Sequence, residues 1–282
     1  MRLRGILPPG AILALILGFG SGAVAAWIRM PLPWMLGPMI GTTIAAMLRA
    51  RLVAPAVLRP VVIPVIGVML GSSITLEVLA AIPGWSVTVL MLVPFLVAAA
   101  SVGYVVYRWL GRFDHTTAYY AAMPGGLSEM LILGTAAGGE EKHIALAHAT
   151  RILVVILCVS LFYGLVIGVT TNGGGNWVAL DALTLRDWVI LGLAAAIGAP
   201  LGTWSRLPAG QLFGPMILSG IAHISGLVAV PPPTVVVIVA QVVIGSTIGC
   251  RFVGARGRDI ARDIALGTIA SAGMIGVAII FS

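Results

Sequence analysis

Trp27 to Ala45 reads WIRMPLPWMLGPMIGTTIA, and Trp204 to Ala222 reads WSRLPAGQLFGPMILSGIA. Laid over one another at a shift of 177 residues, the two stretches agree at 9 of 19 positions, where composition alone would give about one or two, so the chain carries an internal duplication. A second block follows the first in both copies: Val68 to Ile74 (VMLGSSI) lies over Val242 to Ile248 (VVIGSTI), at a shift of 174. The shared elements are Trp-x-Arg-x-Pro, Gly-Pro-Met-Ile and Gly-Ser-x-Ile.

The surrounding residues say what kind of chain was duplicated. Of 282 residues, 60% are hydrophobic and 9% charged, and the mean hydropathy is +1.11, against about 25% charged residues in ordinary soluble domains. A soluble globule is excluded. Uncharged apolar runs recur, and about 20 residues of helix cross the hydrocarbon core, so the chain reads as an all-α polytopic membrane protein with about 9–10 membrane segments. No stretch of about ten residues alternates apolar and polar, as the strands of a barrel would. The runs pair at the repeat spacing: 11–28 with 188–205, 32–48 with 207–227, 60–76 with 234–250 and 85–107 with 264–282. The expected organisation is a first membrane repeat over 1–170, a Gly-rich connector over 171–187 and a shorter second repeat over 188–282. Arg2, Arg4, the apolar stretch from Ala11 and Ala23-Val24-Ala25 imitate a cleavable signal peptide. The segment has a counterpart at 190–205, so it is expected to stay as a membrane helix.

Charge orients the copies. A net charge of +7 would suggest nucleic acid in a soluble protein, but the basic residues sit between apolar runs, where the positive-inside rule accounts for them and no nucleic-acid partner is implied. The loop after the second helix carries Arg49, Arg51 and Arg59 in repeat one and no charge in repeat two (226–233). The loop after the third helix reverses this, with Glu77 alone in repeat one and Arg251, Arg256, Arg258 and Arg262 in repeat two. Two inverted repeats with a cytoplasmic N-terminus are therefore expected, and a parallel pair is the alternative. Inversion needs an odd number of crossings between Arg112 and Trp188. With 144–169 as one crossing, Thr116 to Gly138 becomes a broken or re-entrant element centred on Pro124-Gly125-Gly126.

Several motifs are candidates for a binding site. Gly37-Pro38 and Gly214-Pro215 place a helix-breaking pair at corresponding positions, which either mark a midplane site or kink packed helices. The hydroxyls of Gly71-Ser72-Ser73 and Gly245-Ser246-Thr247 read better as small residues at helix contacts. In Ala122 to Met130 (AMPGGLSEM), Ser128 and Glu129 follow a backbone break, and a carboxylate in apolar surroundings costs about 2.5–3.5 kcal/mol at the bilayer centre, so it needs a partner or water. Arg151, within the next helix, is the nearest basic residue in sequence. The expectation is a polar cavity holding Glu129 within reach of Arg151, beside the two Gly-Pro pairs. His115, His143, His148 and His223 form no metal-ligand spacing and Cys158 and Cys250 no pair, so no metal or other cofactor is implied.

The duplicated Pro-x-x-x-Leu/Phe-Gly-Pro-Met-Ile motif, with Met123-Pro124-Gly125-Gly126-Leu127-Ser128-Glu129-Met130 between its copies, resembles the bacterial AbrB membrane-protein family. That family is distinct from the soluble DNA-binding regulator of the same name. The resemblance implies a multi-pass protein of the bacterial inner membrane, from a family whose members have been labelled regulators of gene expression and ammonia monooxygenases. Family members usually carry the Pro-Gly-Gly-Leu-x-Glu segment in both halves. This chain carries it once and reads as a short form or a truncation, leaving part of repeat one without a symmetry mate and inviting a homo-oligomer in the bilayer.

Dispersed histidines supply no site for monooxygenase chemistry, and no soluble module supplies direct gene regulation, so the chain is not expected to be an enzyme. The leading expectation is a secondary transporter of a small solute, with a non-transporting membrane scaffold or indirect regulator as the alternative.

Overall fold

The structure, a computed structural model, describes residues 7–30, 32–163, 167, 177–207, 209–253 and 257–281, without the side chains of residues 127–129 and 257–260. Among the described residues the regular elements are all helical: α1 (Pro9–Trp27), α2 (Pro33–Met47), α3 (Arg59–Ser72), α4 (Leu76–Ala81), α5 (Ser86–Val105), α6 (His115–Ala122), α7 (Leu127–Ala136), α8 (Glu141–Leu161), α9 (Leu185–Trp204), α10 (Gly210–Ile224), α11 (Thr234–Gly249) and α12 (Gly257–Phe281). Among the described residues six stretches are long and apolar enough to cross a membrane: Pro9–Trp27, Leu76–Leu110, Glu141–Leu161, Leu185–Trp204, Thr234–Phe252 and Ala261–Phe281. Their outer faces expose side chains such as Ile16, Phe19, Val87, Leu90 and Val93, which suit hydrocarbon. The chain is an all-α polytopic membrane protein. Of the segments expected to cross, α2, α3 and α10 have only 14 or 15 residues, or about 21–23 Å of helix against a core of about 30 Å.

Two compact units divide the chain, and each draws on both copies of the repeat. One takes Met1–Thr42, Leu52–Pro83 and Thr170–Ile248; the other takes Thr43–Arg51, Gly84–Val169 and Gly249–Ser282.

In the first unit the duplication is visible as a pair of equivalent joints. Gly37 is pressed on α1, where an added Cβ would lie 2.6 Å from the Ser21 carbonyl oxygen and 2.9 Å from Ala25 Cβ. Gly214 is pressed on α9 at Gly198 and Gly202, the residues 177 positions beyond Ser21 and Ala25. The neighbouring prolines face the third helix of the other copy: Pro38 Cβ would be 3.1 Å from a Cβ at Gly245, and Pro215 Cβ 3.1 Å from one at Gly67. The expected helix breaks are absent, since α2 runs through Pro38 and α10 through Pro215. Each Gly-Pro pair is held from both sides, by a backbone contact through the glycine and a ring contact through the proline, and this packing keeps the helix intact despite the lost amide. The contacts also correct the register. Gly67 and Gly245, 178 apart, occupy equivalent places, one helical turn from the 174 shift of the Gly-Ser-x-Ile letters. A four-residue slip keeps nearly the same helix face, so letter identity does not resolve it.

The second unit fixes the relative direction of the repeats. α5 and α12 are corresponding fourth helices, and they pack antiparallel. Phe95 meets Phe281 with ring centroids 5.9 Å apart, a Cβ at Gly273 would be 2.6 Å from Val102, and one at Gly111, beyond the π turn that continues α5, would be 3.1 Å from Leu266. The repeats are inverted. α8 runs parallel to α12, with His143 against Asp263 at one end and Thr150 against Gly267 further along. Between α5 and α8, α6 and α7 fold back on one another. The Glu140 amide after α7 donates to Thr117 Oγ1 in the first turn of α6 at 2.8 Å, and Thr117 in turn is held by the N-capping Asp114. At 8 and 10 residues, or about 12 and 15 Å, neither helix spans the core, and the pair enters and leaves at one end, as a re-entrant hairpin does.

Two outcomes follow. Gly67→Leu and Gly245→Leu should each destabilise the purified protein by about 1–3 kcal/mol through overpacking, lowering the thermal midpoint, while Gly20→Ala and Gly192→Ala, with no atom within 4 Å of the new methyl, should leave it within error. Single cysteines at Arg51 and Val253, in a background without Cys158 and Cys250, should respond alike to an impermeant maleimide added outside intact cells. Labelling of one and shielding of the other would contradict inversion.

Candidate functional site

Proline at position 124 removes the amide that would pair with the Tyr120 carbonyl four residues earlier, and the chain passes from α6 into α7 through a bend at Gly125 and extended backbone at Gly126. Helix stops at the expected break. The carbonyls freed there are taken by α8. His148, 1% exposed, pairs through Nε2 with the Tyr120 carbonyl oxygen at 2.9 Å. Arg151 Nη1 donates to the carbonyls of Ala122 and Met123 at 3.2 and 3.3 Å, and its Nη2 lies 2.7 Å from His148 Nδ1. A guanidinium only donates, so His148 Nδ1 accepts and its proton sits on Nε2, as the Tyr120 contact requires. One His-Arg pair thus closes the C-terminal end of α6, where a cation also suits the helix dipole.

A cavity of about 390 Å³ lies against the break, lined by Leu96, Ala100, Ser101, Tyr104, Tyr119 and Pro124 among others. Its wall is mainly apolar, with a serine and two tyrosines as polar groups. Tyr104 hydroxyl is 2.6 Å from His115 Nδ1.

The sequence candidates fall as follows. Pro124, Gly125, Gly126 and Arg151 meet at the break within the second unit. Ser128 and Glu129 lie in the first turn of α7, and their side chains are outside the described residues. Gly37, Pro38, Gly214 and Pro215 belong to the first unit, where their contacts are the helix joints above. The hydroxyls of the Gly-Ser-x-Ile blocks serve packing: Ser72 and Thr247 donate to carbonyls of their own helices at 2.7 Å, and Ser246 is buried against Gly18. His148, which forms no metal-ligand spacing in the sequence, is a satisfied histidine at the break. The signal was present, because residues 148 and 151 share a helix face and Pro124 leaves the Tyr120 carbonyl in need of a donor. Asp263, which no sequence motif marks, is 2% exposed and 2.7 Å from His143. Among the described residues no group of three or more His, Cys, Asp and Glu side chains is placed to hold a metal ion.

Comparison with known proteins gives a consistent result. The family model described as "Transition state regulatory protein AbrB" matches residues 34–282. "Putative regulator AbrB" of Escherichia coli (strain K12) is 24% identical over 242 residues, which is 86% of this chain and 68% of that protein. "Uncharacterized protein YhjN" of Bacillus subtilis (strain 168) is 26% identical over 226 residues, which is 74% of this chain and 58% of that protein. The chain thus spans about two thirds or less of the length of these relatives. No solved structure matches.

The capping role makes a double-substitution prediction. His148→Ala should strand the Tyr120 carbonyl at a cost of about 1–3 kcal/mol, read as a lower thermal midpoint. Pro124→Ala restores an amide to that position, so in the His148→Ala background it should cost less than in the wild type or recover stability. Strict additivity of the two changes would show that the Tyr120 carbonyl is not what couples them.

Proposed function

The chain belongs to the AbrB family, and from that premise we propose that it is a secondary transporter carrying a small solute across the bacterial inner membrane by alternating access. The observation that carries the reading is the antiparallel contact of α5 with α12, its counterpart in the other copy. Inverted copies supply two states of similar energy that exchange roles across the membrane, and an intramembrane break such as Pro124-Gly125-Gly126 supplies backbone groups at a solute site. In this reading the solute meets the hairpin at Gly125, Gly126, Ser128 and Glu129, with Arg151 holding the opposite side of the break. The N-terminus faces the cytoplasm, as do the arginines of residues 49–59 and 251–262. The regulatory role in the name of the Escherichia coli relative would come to this chain indirectly, through the level of the transported solute.

A thermal-shift screen of small metabolites on the purified protein tests this. Binding to the folded state alone adds about 2.7 kcal/mol of stability at a hundredfold excess over Kd, so one chemical class should raise the midpoint by several degrees. Glu129→Gln should fold and express normally and lose that response. A screen in which no metabolite shifts the midpoint supports the scaffold alternative instead.

A further inference from the structure

A second polar cluster lies where α8 and α12 begin. His143, in the first turn of α8, places Nδ1 2.7 Å from Asp263 Oδ2 in the second turn of α12. Exposure falls steeply along the cluster: Glu140, whose Oε2 is 3.4 Å from His143 Nε2, has 71% of its side chain exposed, His143 21% and Asp263 2%. The far oxygen, Asp263 Oδ1, is buried and accepts no hydrogen bond among the described residues. The Phe113 ring stands 4.6 Å from the His143 ring and stacks on Tyr107 at 5.8 Å. Among the described residues the other charged or titratable groups acting on the pair are Lys142 on α8, Tyr107 after α5, and Arg262 on α12, which donates to the Gly111 carbonyl.

A carboxylate kept only for architecture would be expected to have both oxygens satisfied, since an idle buried acceptor is costly. Here one oxygen is idle and the other is joined by an imidazole to the surface. We propose that His143 and Asp263 form a proton-binding port, so that the proton is the coupling ion of the transporter proposed above, on which this inference rests. The step balances within the pair. A proton from water binds Nε2 of the neutral imidazole, the Nδ1 proton passes along the 2.7 Å hydrogen bond to Oδ2, and the result is a neutral acid beside a neutral imidazole carrying its proton on Nε2. Uptake changes the bond that joins α8 to α12, and so links proton occupancy to the contact between the two repeats.

The test needs no solute. Proteoliposomes of phosphatidylcholine on a solid-supported membrane are stepped in pH, and the transient charge displacement is recorded. Wild type should give a transient that saturates with the size of the step. Asp263→Asn should abolish it, and Asp263→Glu and His143→Gln should keep a transient with a displaced pH midpoint. No transient in wild type, or one unchanged in a folded Asp263→Asn protein, overturns the port. Should Asp263→Asn not fold, an unchanged midpoint in both other variants overturns it equally. A transient without any solute response in the thermal screen keeps the port and removes the transport reading; a solute response without a transient does the reverse.

Discussion

A backbone carbonyl packed away from water has no solvent partner to turn to, and the Tyr120, Ala122 and Met123 carbonyls lose their helical partners together at Pro124-Gly125-Gly126. Everything that distinguishes this fold depends on their being satisfied. His148 and Arg151 do so from one face of α8, which allows α6 and α7 to remain two short helices that turn back on themselves. Because the hairpin returns to the end it came from, α8 runs opposite to α5. α8 therefore lies parallel to α12, the antiparallel counterpart of α5, and the inversion seen within this unit rests on a local matter of hydrogen bonding.

The duplicated Gly-Pro pairs solve a different problem. Apolar helices gain little by leaving lipid for one another, so their association depends on close contact. A glycine admits the backbone of the preceding helix, and the proline ring beside it fills the space against a glycine of the other copy. This also offsets the cost of proline within a helix, because the segment is clamped on both sides.

How far the sequence could be read depended on the range of the interaction behind each feature. The hairpin was legible because proline and two glycines act on their own backbone, and the inversion because loop charge is a local property repeated in two places. The Gly-Pro pairs leave a break and a kink between packed helices equally open in the sequence, because it shows what proline costs the helix, while the α1, α3, α9 and α11 contacts that compensate come from other segments. The roles of His148 and Asp263 were hidden for the same reason: Tyr120 and His148 are 28 residues apart and His143 and Asp263 are 120 apart. Neither spacing is a motif. Only the missing amide at Pro124 pointed to a required donor, without saying which residue would supply it.

The contacts within the two units differ in kind, and the difference bears on where a solute would act. In the first unit the joints are backbone against glycine and ring against glycine, interactions with no substitute partner: separating them opens a void and gains nothing from a ligand. In the second unit the contacts that α8 makes with the break and with α12 are held by a guanidinium, two imidazoles and a carboxylate. Each of those can exchange its present partner for water, a proton or a solute group at small net cost, because a hydrogen bond given up is replaced by another. A guanidinium holding two carbonyls at 3.2 and 3.3 Å is held less firmly than one paired to a carboxylate, and an anionic group would compete for it on electrostatic grounds alone. Chemistry that must be reversible therefore belongs with the hairpin and α8, and the Gly-Pro joints are better suited to remain rigid while it proceeds.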